Sequence, residues 1–163
     1  MKVVTFINDF FGFPYMDECN NSEEFSTKIP KLLNKAKKEI LITSMLSRDF
    51  YEKNEIKEAI SNAIKREASI KIILDHKANN DNLPSWLIDE AKSGKIKIKK
   101  SKNNIPHSIV VDKENVRVEK EHEAEKWENA TNIIAYNNAV EGLKWRCYFY
   151  GLWESDEVEE YSP

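Results

Sequence analysis

Residues 39–75 read EILITSMLSRDFYEKNEIKEAISNAIKREASIKIILD and contain two apolar, β-branched runs separated by a polar segment. The runs EILITS and SIKIILD are typical of buried strands. Between them, apolar residues from Ile56 to Ile64 recur every three or four positions, which predicts an amphipathic helix capped by Asn54. A connection of this length favours two parallel strands joined by a right-handed crossover.

The sequence before this unit adds a strand and a helix. KVVTFI at Lys2–Ile7 is rich in β-branched residues and predicts a first strand, followed by an aromatic loop, NDFFGFPYMD. Ser22 with two following glutamates has the composition of a helix start. Pro30 nevertheless predicts that the regular helix begins near Thr27.

The sequence after the unit continues to alternate between helix and strand. Pro84 in the first turn and Gly94 just past the end delimit a helix, and KIKIKK from Lys95 alternates as a strand does. SIVVD (Ser108 to Asp112) and NVRVE (Asn115 to Glu119) flank the short polar turn KE, which predicts a hairpin. TNIIAY at residues 131–136 predicts a last strand, and a helix is expected at about residues 138–153.

These elements predict one α/β domain over residues 1–163, with a mixed, mostly parallel sheet flanked by helices. The chain has 163 residues, of which 40% are hydrophobic, and this length suits a single core. The net charge of −3 excludes a global basic field that would draw the protein to nucleic acid or membranes.

Other features of the composition indicate the environment of the protein. Cys19 and Cys147 lie far apart in the sequence, and MKVVTFIND lacks the apolar region of a signal peptide. No apolar run approaches the roughly 20 residues that cross a bilayer, so no membrane partner is expected. We predict a cytoplasmic protein, and the abundance of Lys, Glu and Ile suggests a thermophilic source.

From about Phe25 to Trp153, the order of elements resembles a single phospholipase D-like domain. The resemblance rests on EILITS, IKIILD, IPHSIVVDKENVRVE and NIIAYNN, and on a last helix ending in LKWRCYFYGLW, with Phe149 and Trp153 spaced as F-x-x-x-W. Such domains occur in pairs, either within one chain or about a two-fold axis. For a chain with one domain, the resemblance therefore implies a homodimer.

The catalytic signature of that family is degenerate in this chain. The family motif is His-x-Lys, then four residues and an aspartate. Aligning SIVVD with the family's strand places Asp112 at the aspartate, His107 at the lysine and Ile105 at the histidine. If His107 is instead the nucleophile, Ile109 replaces the lysine and Asp112 falls two residues too early.

The later motif positions also differ from the family pattern. Glu121, His122, Glu123 and Ala124 stand where Gly-Ser-x-Asn is expected, and Thr131 stands where an acidic residue often occurs. An isoleucine offers neither a nucleophile nor a charge for phosphodiester attack. The leading hypothesis is therefore a non-catalytic module that binds a ligand or partner and acts in regulation.

Three alternatives concern His107. It could be the nucleophile of an active phosphodiesterase or nuclease, supported by Asp112 and acting across the homodimer. It could join Asp112, Glu121 and His122 in binding a divalent metal, although the spacing fits no closed metal site. It could also form only local hydrogen bonds at the entry of its strand. No cofactor is predicted.

Ser44, Asp75, His76 and His107 are expected to share one crevice. Ligands of open α/β sheets bind outside the carboxyl ends of the strands, and these residues lie at or beside such ends. The crevice would suit a phosphate-containing ligand or a protein partner.

Lysines and aromatic residues provide further candidate surfaces. Lys95, Lys97 and Lys99 would project from one face of a strand, either to bind nucleic acid or to protect an exposed sheet edge from aggregation. The aromatic side chains could stack on bases, but core packing or a dimer contact is the favoured interpretation. They are Phe10, Phe11, Phe13 and Tyr15 in the loop and Trp145, Phe149 and Trp153 in the last helix.

Overall fold

A computed structural model of the chain describes residues 12–119 and 132–162. The strands in these ranges are β1 (Tyr15–Cys19), β2 (Glu39–Ser44), β3 (Ser69–Leu74), β4 (Ile96–Ser101), β5 (Ser108–Val111), β6 (Asn115–Glu119), β7 (Asn132–Tyr136) and β8 (Val158–Glu160). The helices are α1 (Ser22–Asn34), α2 (Arg48–Tyr51), α3 (Asn54–Lys65), α4 (Ser85–Lys92) and α5 (Ala139–Trp153). A 3₁₀ turn covers Asn80–Asn82.

The strands form one sheet in the order β1-β7-β6-β5-β2-β3-β4-β8. At its centre, β2 pairs in parallel with β3, and β3 with β4, as the repeated strand–helix pattern predicts. The prediction of a mostly parallel sheet is wrong, because every other pairing in the described sheet is antiparallel. The turn between β5 and β6 is too short for a crossover and so requires antiparallel neighbours, and β6 also pairs antiparallel with β7.

Helices cover both faces of the sheet. Ile40 and Ile42 of β2 point toward the core shared with α1 to α4, whereas Leu41 points toward the core beneath α5. This alternation follows from the two-residue period of a strand. Phe149 and Trp153 pack in the α5 core with their rings stacked 5.6 Å apart, which confirms their predicted place in the core.

Helix α1 begins earlier than the proline suggested. The side chain of Asn21 caps the helix by accepting a hydrogen bond of 2.9 Å from the amide of Glu24, and Pro30 lies within the helix. Ile29 and Leu32 on either side of Pro30 are fully buried. Tertiary packing therefore holds the helix through a residue that weakens it locally.

The first and last strands of the described sheet were not predicted as strands. Tyr15, expected in an aromatic loop, begins β1, and its ring stacks on Tyr136 at a centroid distance of 4.8 Å. β8 is only 3 residues long and carries two glutamates, so its apolar signal is weak. The predicted strand at residues 2–7 and the loop residues Phe10 and Phe11 lie outside the described residues.

Strand β8 pairs with the outer side of β4 only at Lys99, Lys100 and Ser101, so the first half of β4 has no outer partner in the described sheet. The interpretation of the lysines as edge protection is therefore wrong for Lys99 and stays a prediction for Lys95 and Lys97. Lys97 and Lys99 alternate with the buried Ile96 and Ile98, as predicted. Lys95 precedes the strand and pairs instead with Glu90 of α4, at 2.8 Å.

Within the described ranges, no helix is both long enough and apolar enough to span a lipid bilayer.

Candidate functional site

Three predicted crevice residues meet at one end of the central sheet. Asp75 directly follows β3, His76 is the next residue, and His107 directly precedes β5. Because β5 runs antiparallel to β2 and β2 runs parallel to β3, the start of β5 lies beside the ends of β2 and β3. The sheet topology alone therefore brings His107 to Asp75.

Asp75 is a buried carboxylate with several partners. Its residue surface is only 3% exposed. Oδ1 accepts a hydrogen bond of 2.9 Å from the amide of Lys77, and Oδ2 accepts one of 3.1 Å from the amide of Ile105. Burial raises the pKa of Asp75, but contact with His107 and the two amide hydrogen bonds outweigh it and hold the pKa well below its usual range.

His107 lies between two carboxylates. Nε2 is 3.6 Å from Oδ2 of Asp75, and Nδ1 is 3.4 Å from Oε1 of Glu119. Burial lowers the pKa of His107, but contacts with Asp75 and Glu119 outweigh that effect and raise the pKa to about 9. At neutral pH the ring is therefore an imidazolium, which carries a proton on each nitrogen and has no lone pair for attack.

Arg117 completes the row of charges. It forms an ion pair with Glu119, two residues further along the same face of β6. The guanidinium stacks on the ring of Phe25 at 4.8 Å, and the arginine residue is only 5% exposed. Asp75, His107, Glu119 and Arg117, here termed the charge chain, alternate in sign across the carboxyl end of the sheet.

The hairpin register places Glu119 beside His107. Ser108 pairs with Val118, and the amide of Glu119 donates a hydrogen bond of 3.0 Å to the carbonyl of His107. Sequence reasoning did not assign Glu119 or Arg117 to the site. The sequence nevertheless contained the information needed to place them, because a hairpin with its turn at Lys113 and Glu114 has this register.

His76 and Ser44 lie at the margin of the charge chain. Nδ1 of His76 is 3.1 Å from Oδ1 of Asp75, and its side chain is 37% exposed. Ser44 ends β2, and its hydroxyl accepts a hydrogen bond of 3.0 Å from the amide of Leu46. The His76 side chain is therefore more exposed than those of Asp75 and His107.

Asp112 lies at the opposite end of β5 from His107, and the structure does not bring the two together. Its carboxylate accepts hydrogen bonds from the amides of Lys37 (3.1 Å), Lys38 (2.8 Å) and Glu39 (3.0 Å). Its backbone is left-handed, with φ of 54°. In this position Asp112 joins the α1–β2 loop to the hairpin turn.

The metal-site alternative involves Glu121 and His122, which lie outside the described residues. Among residues 12–119 and 132–162, no group of three or more His, Cys, Asp or Glu side chains is placed to hold a metal ion. Thr131, Glu123 and Ala124 of the expected family positions also lie outside these ranges.

Comparisons with known proteins give matches in structure but not in sequence. No protein-family model matches the chain, and no curated protein matches it. The phospholipase D family member Nuc from Salmonella typhimurium matches with a TM-score of 0.66 and 17% identity, over 92% of this chain and 99% of Nuc. NucT from Helicobacter pylori matches with a TM-score of 0.67 and 16% identity, over 91% of this chain and 99% of NucT.

A third solved structure is that of TrmBL2, an archaeal chromatin protein described as having a novel mode of DNA binding. It matches with a TM-score of 0.69 and 19% identity, over 98% of this chain. The chain spans only 60% of the length of TrmBL2.

The sheet order, the helices on both faces and these matches define the chain as an α/β protein with a mixed sheet. More particularly, its fold is phospholipase D-like, as the sequence resemblance implied.

Proposed function

We propose that this chain is a single, non-catalytic phospholipase D-like domain that acts as a binding module. The observation that carries the proposal is the position of His107 between Asp75 and Glu119, with a carboxylate at each ring nitrogen. A nucleophilic histidine needs a neutral nitrogen directed at phosphorus. The charge chain instead favours a protonated ring held inside the protein.

The charge chain also alters what the crevice could bind. Phosphoryl transfer requires positive groups that stabilise charge developing on the phosphate oxygens. Here the positive charges of His107 and Arg117 are balanced by the negative charges of Asp75 and Glu119. These four side chains together therefore add no net positive charge to the crevice. A ligand or partner approaching the crevice of Ser44, Asp75, His76 and His107 would meet the exposed edge of His76 first.

Nucleic acid is the ligand class with further support. TrmBL2, with a similar fold, is described as binding DNA, and this chain carries the half-buried Lys71 of β3 beside the exposed Lys97 of β4. A protein partner remains the other occupant of such a module. A binding measurement with a nucleic acid of defined sequence and length distinguishes a nucleic-acid ligand from a protein partner.

Assembly as a homodimer is part of the proposal. The exposed side of α5 carries large apolar side chains, Val140 (77% exposed), Leu143 (46%) and Tyr148 (37%). Apolar residues clustered on an outer helix face suit an interface between copies of a chain. Sedimentation equilibrium measures the mass directly, and Leu143→Glu is expected to shift a dimer toward monomer.

The loss of catalysis is tested by hydrolysis of bis-p-nitrophenyl phosphate, with and without a chelator. Wild-type protein, His107→Gln and the matched control His76→Gln are expected to give equal rates at the background level. Activity in the wild type that is lost in His107→Gln would overturn the proposal and support a phosphodiesterase that uses His107 across the dimer. Sensitivity of that activity to the chelator would indicate the metal alternative.

A further inference from the structure

The side of the sheet that carries α5 is not uniformly covered. α5 packs against β2, β5 and β6, and its last turns reach Ile73 of β3 through Phe149 and Trp153. Beyond this contact, β3 and β4 present lysines on the same side. Lys71, Lys97 and Lys99 are here termed the lysine face.

The orientation of the lysine face follows from contacts and register. Nζ of Lys71 is 4.6 Å from the ring centroid of Tyr150, and Nζ of Lys99 is 4.9 Å from that of Trp153. Lys97 alternates with buried Ile96 and Ile98, so it points to the same side as Lys99. Lys97 is also the direct parallel neighbour of Lys71.

Two lysines side by side on neighbouring strands repel each other and weaken the pairing locally. Edge protection does not account for Lys71, because β3 is paired with β2 on one side and with β4 on the other. Within residues 12–119 and 132–162, neither Lys71 nor Lys97 has a carboxylate within ion-pair distance. The structure thus keeps two cations without a carboxylate partner side by side, with Lys71 half-buried against the rings of Tyr150 and Trp153 and Lys97 exposed.

The nearby carboxylates leave the face positive. Glu39 is paired with Arg146 and also accepts a hydrogen bond of 2.8 Å from the hydroxyl of Tyr150. Glu160 lies 3.7 Å from Lys99, but its side chain is 80% exposed and can turn away. A strip of cations flanked by aromatic rings fits a ligand with closely spaced negative charges.

We infer that the lysine face binds the phosphate backbone of nucleic acid, with Lys71 and Lys97 as the main phosphate contacts. The inference deepens the proposed function by moving the binding surface from the crevice to the opposite face of the sheet. His107 faces the core beneath α1 to α4, on the same side as Ile109, whereas the lysine face lies on the α5 side. The two locations can therefore be tested separately.

The test is fluorescence anisotropy of a labelled duplex of about 20 base pairs, and of one of its single strands, between about 25 and 200 mM salt. The double variant Lys71→Gln/Lys97→Gln is compared with Lys31→Gln/Lys65→Gln, which removes the same charge from exposed positions on α1 and α3. Lys99 is left intact because its Nζ donates a hydrogen bond of 2.9 Å to the carbonyl of Trp153.

We expect wild-type protein to bind with an affinity that falls steeply with salt. Each lost phosphate contact reduces the slope of log K against log salt by about 1, so the lysine-face variant should lose about 2. Its affinity at the lowest salt should fall about tenfold or more, while the control variant changes little. Its stability in urea should be unchanged or higher, because the repulsion between Lys71 and Lys97 is removed.

Several results would overturn the inference. These are an absence of binding at the lowest salt, an equal loss in both double variants, and equally tight binding of polyglutamate. Loss of binding in His107→Gln with full binding in the lysine-face variant would return the ligand to the crevice. The hydrolysis assay tests catalysis independently. If the lysine face does not bind nucleic acid, the proposal of a non-catalytic domain is still decided by the hydrolysis assay alone.

Discussion

Nδ1 of His107 lies 3.4 Å from Oε1 of Glu119, directly across the β5–β6 hairpin. This contact joins the expected nucleophile position to a second carboxylate, and through it to Arg117. The charge chain consequently consists of side chains whose charges alternate in sign, each in contact with an opposite charge. We expect substitution of each of its members to change protonation or stability.

Stability should depend on pH through His107. Its pKa rises from 6.5 in the unfolded chain to about 9 in the folded protein, so the folded state binds more protons between these values. The stabilisation is complete below pH 6.5 and is lost as the pH rises through about 9. At about 1.4 kcal/mol per unit, the loss is at most about 3.5 kcal/mol. Urea unfolding from pH 5 to 10 measures it.

His107→Gln is the control for that experiment, since it removes the titrating group and should flatten the decline above pH 6.5. Asp75 acts in the opposite direction. Its pKa is held below the ordinary 3.8, so its contribution is present above that pH and is lost as the pH falls further. A wild-type stability that is constant from pH 6 to 9.5 would contradict the assignment of His107 as a buried cation.

Replacement of Glu119 should lower the pKa of His107. Glu119→Gln removes one of the two carboxylates at the ring, and loss of a close opposite charge lowers the pKa by about 1 unit or more. Titration of the His107 Cε1 proton by NMR measures the change, with Glu114→Gln in the hairpin turn as the control. An unchanged pKa would show that Glu119 does not stabilise the imidazolium.

The same substitution leaves Arg117 buried without its carboxylate. Breaking a buried pair on one side costs about 3 to 5 kcal/mol. Glu119→Gln/Arg117→Met should recover much of the loss, because no uncompensated charge remains. A double variant less stable than Glu119→Gln would contradict this account of the pair, and if Glu119→Gln does not fold, the double variant supplies the NMR titration.

Asp112 should affect stability and not chemistry. Asp112→Ala removes the acceptor of three backbone hydrogen bonds, and we expect it to cost about 2 kcal/mol or more in urea unfolding. Asp112→Asn keeps one acceptor oxygen and should cost less. Equal stability of Asp112→Ala and wild type would show that the α1–β2 loop does not depend on this carboxylate.

The two glycines of α5 should respond oppositely to alanine. A Cβ on Gly142 would lie 2.1 Å from the carbonyl oxygen of Lys113, so α5 would have to move from the hairpin turn. We expect Gly142→Ala to destabilise the protein by about 2 kcal/mol. A Cβ on Gly151 meets no atom within 4 Å, and Gly151→Ala should stabilise α5 by up to about 1 kcal/mol. Urea unfolding of both variants distinguishes steric contact from helix propensity.

The sequence predicted the parts of the fold that have strong local patterns. The strands Glu39–Ser44 and Ser69–Leu74, the helix between them and the hairpin are where periodicity and turn chemistry placed them. Pro30 misled because its local effect is weaker than burial of the helix face around it. β8 has too few apolar residues to be recognised before its partner β4 is known.

The site shows the same limit. The predicted strand order placed Asp75, His76 and His107 together, because topology alone determines which strand ends are neighbours. The burial of Arg117 could not be predicted from NVRVE, because a single charged residue in a strand normally points to solvent. Its burial depends on Phe25 and Glu119, which come from separate elements, so only the assembled structure reveals it.

The edge strands β1 and β8 determine how the protein would respond to mechanical force. They lie near the two ends of the described chain and on opposite edges of the described sheet, roughly 34 Å apart for strands about 4.8 Å from each other. Tension applied through those ends acts across the strands, along the interstrand hydrogen bonds, and breaks them one after another. In an optical trap the domain should therefore peel open from its edges at low force, and a high-force, all-or-none rupture would show that load is carried in shear.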